Sequence, residues 1–156
     1  MKVFKIILKI ILILITVIYA VFFNLAGGAG IIYEAIDNRS AGLLVPDDFT
    51  KLAAASGCFF ASGILMVTAT VMVLHKKGLS VLIAEIPGIS ACMTGLILIV
   101  SQAQKIGFSD ENLQPYSQIY LARHLPTLGH FVVILIIALM NYLSYDNRVK
   151  RNKKKI

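Results

Sequence analysis

Glu85 is the one carboxylate inside an apolar run of this chain. It sits in residues 79–100 (LSVLIAEIPGISACMTGLILIV), two positions ahead of Pro87-Gly88. Six residues into that run corresponds to ~9 Å along a helix. A charged carboxylate at that depth needs a partner, water or a proton. Two roles follow. In the first, Glu85 is an ion or proton site, and Pro87-Gly88 loosens the helix so that backbone carbonyls help coordinate. In the second it is half of a structural pair that fixes helix register. Lys9, at the base of the first apolar run, is then the counter-charge, and Asn141, near the base of the last, is an uncharged alternative. The pair is the favoured expectation, because Lys9 matches Glu85 in depth and no second intramembrane acid exists to relay a proton.

A second constellation lies in the last apolar run. Arg123, His130 and Asn141 are spaced by seven and eleven residues, both near whole helical turns, so they share a face, with Thr127 and Tyr145 beside it. A polar seam on a lipid-embedded helix should point at the bundle interior or at a partner. The plainer alternative, favoured because Pro126 disturbs the register, is an interfacial anchor at Arg123 and one hydrogen-bonded core histidine. An enzyme site at the outer interface, built from Arg123, His124 and His130, rests on residue types alone.

No cofactor is expected. A bis-histidine haem needs two imidazoles at similar depth across one iron. His75 lies at the inner edge, and His124 and His130, six apart, are expected on opposite sides of their helix. No His, Cys, Asp or Glu grouping has metal-ligand spacing, and GxSxG, HExxH and a Gly-rich phosphate loop with Lys are all missing. Cys58 and Cys92 lie in apolar runs, outside any CxxC pair, and read as small packing residues.

The elements that must position these residues are membrane spans. The chain is 58% hydrophobic and 15% charged, with mean hydropathy +0.81. A soluble domain is closer to half apolar and a quarter charged. The excess comes in blocks of span length, which points to a bilayer. The expected fold is all-α: an integral membrane, four-helix antiparallel transmembrane bundle over residues 1–147. Its spans lie near 3–26, 49–75, 79–102 and 119–145, and a mobile basic tail follows at 148–156. A cleaved signal peptide is the alternative for the start, but the charge-free stretch 10–26 is longer than a signal-peptide centre, which favours a retained helix. Gly27, Gly28 and Gly30 are expected to end the first helix or let it fray. Pro46-Asp47-Asp48 reads as a helix start, and His75-Lys76-Lys77-Gly78 as a tight turn. Ala53, Gly57 and Ala61 in the second span, and Ala84, Gly88, Ala91 and Gly95 in the third, form small-residue rows that should pack on each other.

Eleven of the fifteen basic residues fall in the N-terminal stretch, the 76–77 turn and the tail, while six of the eight acids fall in the two long connections. The positive-inside rule then places both termini in the cytoplasm, in a plasma or inner membrane. The net charge of +7 reads as an orientation signal and a contact with anionic lipid. No aromatic-interleaved basic patch suggests nucleic acid. Expected partners are membrane lipids and other transmembrane helices, in a homo-oligomer or a larger complex. The leading expectation for function is a helix-packing interaction or accessory subunit. A proton- or ion-coupled oligomeric transporter or channel using Glu85 is the alternative.

Overall fold

The computed structural model describes the backbone of residues 2–42, 44–106 and 114–153 and the side chains of 6–42, 44–102 and 124–145. The described chain is all helical. Helix α1 (Lys2–Val17) continues through an eight-residue π-helical segment (Ile18–Leu25) into α2 (Ala26–Ser40). Helix α3 (Pro46–Leu74) comes next. A 3-10 turn (Gly78–Val81) then leads into α4 (Leu82–Ile106), and α5 (Gln114–Lys153) completes the order. Four helical stretches are long and apolar enough to cross a membrane: Ile6–Ser40, Pro46–Leu74, Gly78–Gln102 and His124–Tyr145.

The first helical stretch is much longer than its sequence suggests. The glycines at 27, 28 and 30 do not end it. Instead, Gly27 and Gly28 face neighbours. A Cβ on Gly28 would lie 3.1 Å from the Ser56 carbonyl oxygen, and one on Gly27 would lie 3.3 Å from the His124 ring. The stretch stops at Ala41-Gly42, where Gly42 takes the left-handed conformation (φ 75) and its N–H bonds to Arg39 O at 3.0 Å. The buried row Leu12, Thr16, Ala20 and Asn24 keeps a strict spacing of four. Three such steps would swing an α-helical row by about 120°. The wider i→i+5 turns of the π segment take back part of that drift, so the row stays on one face.

Helix α3 starts as expected, with Pro46 in its first turn, Val45 extended before it (ψ 150), and Asp47 and Asp48 near the positive end of the dipole. Lys51 pairs with Asp47 one turn on. The helix ends in a paired-bond cap: Lys76 N–H reaches Val73 O and Lys77 N–H reaches Met72 O. Lys76 adopts φ 57 to do so, a strain of about 1–2 kcal/mol for a residue with a Cβ.

Helix α3 is the hub. Ser56 Oγ donates to Gly28 O (2.7 Å), and a Cβ on Gly63 would lie 2.9 Å from Ala20 O. Toward α4, Phe59 lies over Gly95 and Leu65 beside Gly88. Phe59, Met66, Cys92, Phe131 and Ile134 fill the core between α3, α4 and α5. Gly88 thus packs inward as expected, but Gly57 and Ala61 do not. Both are exposed, and a Cβ on Gly57 would meet nothing within 4 Å. The buried stripe of α3 carries the bulkier Phe59 and Met66, with Ser62, Gly63 and Thr70. Large side chains gain more dispersion contacts in an interface than small ones do.

One more expectation needs correction. Helix α4 runs unbroken through Pro87-Gly88, so no unwound stretch lies beside Glu85. Helix α5 runs on into the basic tail as far as Lys153. No glycine or proline follows Gly129 to stop it, and cations near a helix C-terminus suit its dipole.

Candidate functional site

Glu85 lies in the first turn of α4. It shares a buried stripe with Val81, Ala84, Gly88, Cys92, Gly95, Leu96 and Ile99, which turns the carboxyl into the helix interface. The residue is 0% exposed, and neither carboxylate oxygen has a hydrogen-bond partner among the described residues. Lys9 is exposed, and the described structure holds no ion pair between it and Glu85. The favoured pair does not form. Lys9 lies on α1, which packs on α3 and is not among the helices packed closely on α4, so equal depth does not bring the two residues together. Asn141 is half-buried and donates to Val73 O (3.3 Å), so it too leaves Glu85 unmatched. Further along α4, Gln102 is buried, and neither its amide oxygen nor its nitrogen has a partner among the described residues. Two polar side chains on one apolar stripe thus lack partners among the described residues, a costly arrangement in any low-dielectric interior.

A second polar group ties three helices together. Thr16 of α1 donates its hydroxyl to Leu12 O (2.8 Å). The Thr16 oxygen also lies 3.0 Å from Thr70 Oγ1 on α3 and 2.8 Å from His130 Nε2 on α5. With its single proton spent on Leu12 O, Thr16 must accept from both neighbours. Thr70 is then the donor in its bond, and His130 carries its proton on Nε2. The Tyr19 ring stacks on His130 at 5.4 Å.

The third group sits at the π segment. His124 Nδ1 donates to Asn24 Oδ1 (3.2 Å), and the His124 ring stacks on Phe59 at a centroid distance of 3.8 Å. Both histidines therefore turn inward, toward the same long first helical stretch. The expectation that they point apart fails because six residues separate two side chains by about 120°, not 180°, and the first stretch spans both positions. Arg123 cannot be placed in the seam, since its side chain lies outside the described residues. His130 meets Thr16 of α1 and Asn141 meets Val73 O of α3, so the two share no contact.

Motif and spacing arguments do not single out Thr16, Asn24, Thr70 or Gln102. A signal is present, however. Thr16 and Asn24 are two of only a few polar residues in an otherwise apolar, charge-free first run, and an isolated polar residue there needs an internal partner.

Among the described residues no three His, Cys, Asp or Glu side chains converge. Cys58 and Cys92 are both free thiols. The chain belongs to the class of all-helical proteins with several helices of membrane-crossing length and apolarity. Comparison with family models, with characterised proteins and with solved structures finds no match to it.

Proposed function

We propose that the protein is an integral membrane, antiparallel four-helix bundle that works as an interaction or accessory subunit, docking other transmembrane helices on α3. The observation that carries this reading is the outward row Ala54, Gly57 and Ala61. All three are exposed, and a side chain at Gly57 would meet nothing within 4 Å. The bundle uses its close-approach glycines, at 27, 28, 63, 88 and 95, for its own contacts. This row is left over. Small residues three or four apart allow helix backbones to approach closely in lipid, where dispersion and not water exclusion drives association. Gly57→Ile in the full chain should abolish a crosslinked oligomer or a co-purifying helix while leaving the melting temperature unchanged. Retention of the assembly by the variant would rule this face out.

The orientation that goes with this reading places both termini and the 75–78 turn in the cytoplasm of a plasma or inner membrane, supported by the basic residues at 2, 5, 9, 76 and 77 and in the tail. Lys77→Cys, in a background free of other cysteines, should react with an impermeant thiol reagent from the inside only.

A second reading, a proton- or ion-coupled transporter or channel, draws support from Glu85. The described residues offer its oxygens no partner, so what the site takes comes from elsewhere: a proton or a cation. The outer-interface enzyme gains no support, because His124 is stacked on Phe59 and His130 is bonded to Thr16.

A further inference from the structure

Helices α1 and α5 diverge beside the Thr16–His130 contact and leave a groove of about 450 Å³. Leu8, Ile11 and Ile15 of α1 form one wall, and Val133 and Ile137 of α5 the other. From Leu8 to Tyr19 the groove runs about 16 Å along the helix. Its two ends differ. The Leu8–Ile137 end is entirely aliphatic, while Tyr19 and His130 close the other, beside Pro126 and Gly129. Gly129 supplies open space, since a Cβ there would meet nothing within 4 Å.

The hydrogen-bond order at Thr16 decides what the polar end can bind. His130 donates through Nε2, so in the neutral ring Nδ1 is an acceptor. Nδ1 has no hydrogen-bond partner among the described residues, and it is not among the polar atoms sealed inside the bundle. An acceptor open to a hydrocarbon groove loses free energy unless a donor reaches it. We propose that this groove binds a membrane-soluble amphiphile with one hydroxyl head and a hydrocarbon chain, a long-chain alcohol in chemical class. The hydroxyl donates to His130 Nδ1, and the chain lies along Leu8, Ile11, Ile15, Val133 and Ile137. At His130 Nδ1 a carbonyl or ether head would set an acceptor against an acceptor. The apolar flanks of α1 and α5, exposed on either side, let such a molecule enter sideways from the bilayer.

The test uses the full chain in nanodiscs and two photoactivatable probes: a hexadecanol carrying a diazirine in its chain, and its methyl ether. The alcohol should label peptides containing residues 8–19 and 126–137, saturably and in competition with plain hexadecanol. The ether should label them about fivefold less at equal concentration, the equivalent of one net hydrogen bond. Gly129→Phe fills the groove and should suppress labelling by both probes. Equal labelling by alcohol and ether, or labelling spread evenly along the outer face of α1, would overturn the proposal. So would undiminished labelling of a folded Gly129→Phe. Should that variant not fold, the comparison of alcohol with ether on the unaltered protein decides by itself.

Discussion

Gly63→Leu and Gly88→Leu should each dismantle the bundle, while Gly57→Leu on the same helix as Gly63 should leave it standing. At Gly63, a Cβ would lie 2.9 Å from the Ala20 carbonyl oxygen, 3.1 Å from Asn24 Cβ and 3.2 Å from Leu25 Cδ2. The first of these is backbone and cannot rotate away, so the π segment would have to leave α3. At Gly88, a Cβ would lie 2.8 Å from the Phe131 ring and 3.2 Å from Leu65 Cβ. Phe131 is fully buried, so its ring has nowhere to swing, and α4 is pushed off both α3 and α5. Overpacking typically costs about 1–3 kcal/mol, and more where a whole helix must shift. The contrast with truncation sharpens the test. Leu96→Ala in a soluble core would cost about 2–5 kcal/mol, but that figure includes transfer from water. In the lipid-embedded bundle proposed above, only the packing part would be lost, which places Leu96→Ala near or below the bottom of that range. In a detergent melting assay the order of loss should be Gly63→Leu, then Gly88→Leu, then Leu96→Ala, with Gly57→Leu at the level of the unaltered protein. Equal melting of Gly88→Leu and Leu96→Ala would contradict the packing described.

The same glycines mark where sequence reasoning reaches its limit in this chain. The existence of four long apolar helices is legible, because a water-soluble fold rarely strings about twenty apolar residues together without a charge. The start of α3 at Pro46 and the turn at 75–78 are legible too, since proline, acid and glycine positions carry local chemistry. The inward face of each helix is much harder to read. A helix that is apolar all round has a periodic pattern of size but not of hydropathy, so the arc Gly57–Ala61 and the arc Phe59–Met66 look equally good. What separates them is the polar set. Thr70 lies on the Phe59 side, bonded toward His130 through Thr16, and such residues mark the interior better than small ones do. The first helical stretch shows a related limit. Gly27-Gly28 and Gly42 look alike as letters, yet the first two sit at a helix crossing and only the third carries a positive φ. Arg39 in the last turn and Pro46 soon after are the local signs that favour Gly42. The drop in hydropathy at Gly27 points the other way and misleads. The Lys9–Glu85 pairing fails for a different reason. Depth along a helix is readable from residue counts, but which helices are neighbours is not.

Glu85→Gln should leave the bundle as stable as the unaltered protein, and Lys9→Met should change nothing. The carboxyl is enclosed on all sides, and neither oxygen has a partner among the described residues. Gln fits nearly the same volume and gives up only the ionisable group. Had Lys9 been the counter-charge, removing Glu85 alone would strand a cation and cost about 3–5 kcal/mol, much of it recovered in the double variant. With Lys9 exposed, the double variant should match Glu85→Gln, and the interaction free energy of the cycle should fall below about 0.5 kcal/mol. A large single-variant loss with recovery in the double variant would restore the structural pair. The same variants divide the two functional readings. If Glu85 takes up a proton or cation, reconstituted vesicles carrying the unaltered protein should show a pH- or cation-dependent flux that Glu85→Gln abolishes and Lys9→Met keeps. If the bundle serves only to hold other helices, Glu85→Gln should retain every partner that Gly57→Ile loses, and vesicles should show no flux with either chain. A Glu85→Gln protein that folds, keeps its partners and keeps its flux would leave the buried carboxyl outside both readings.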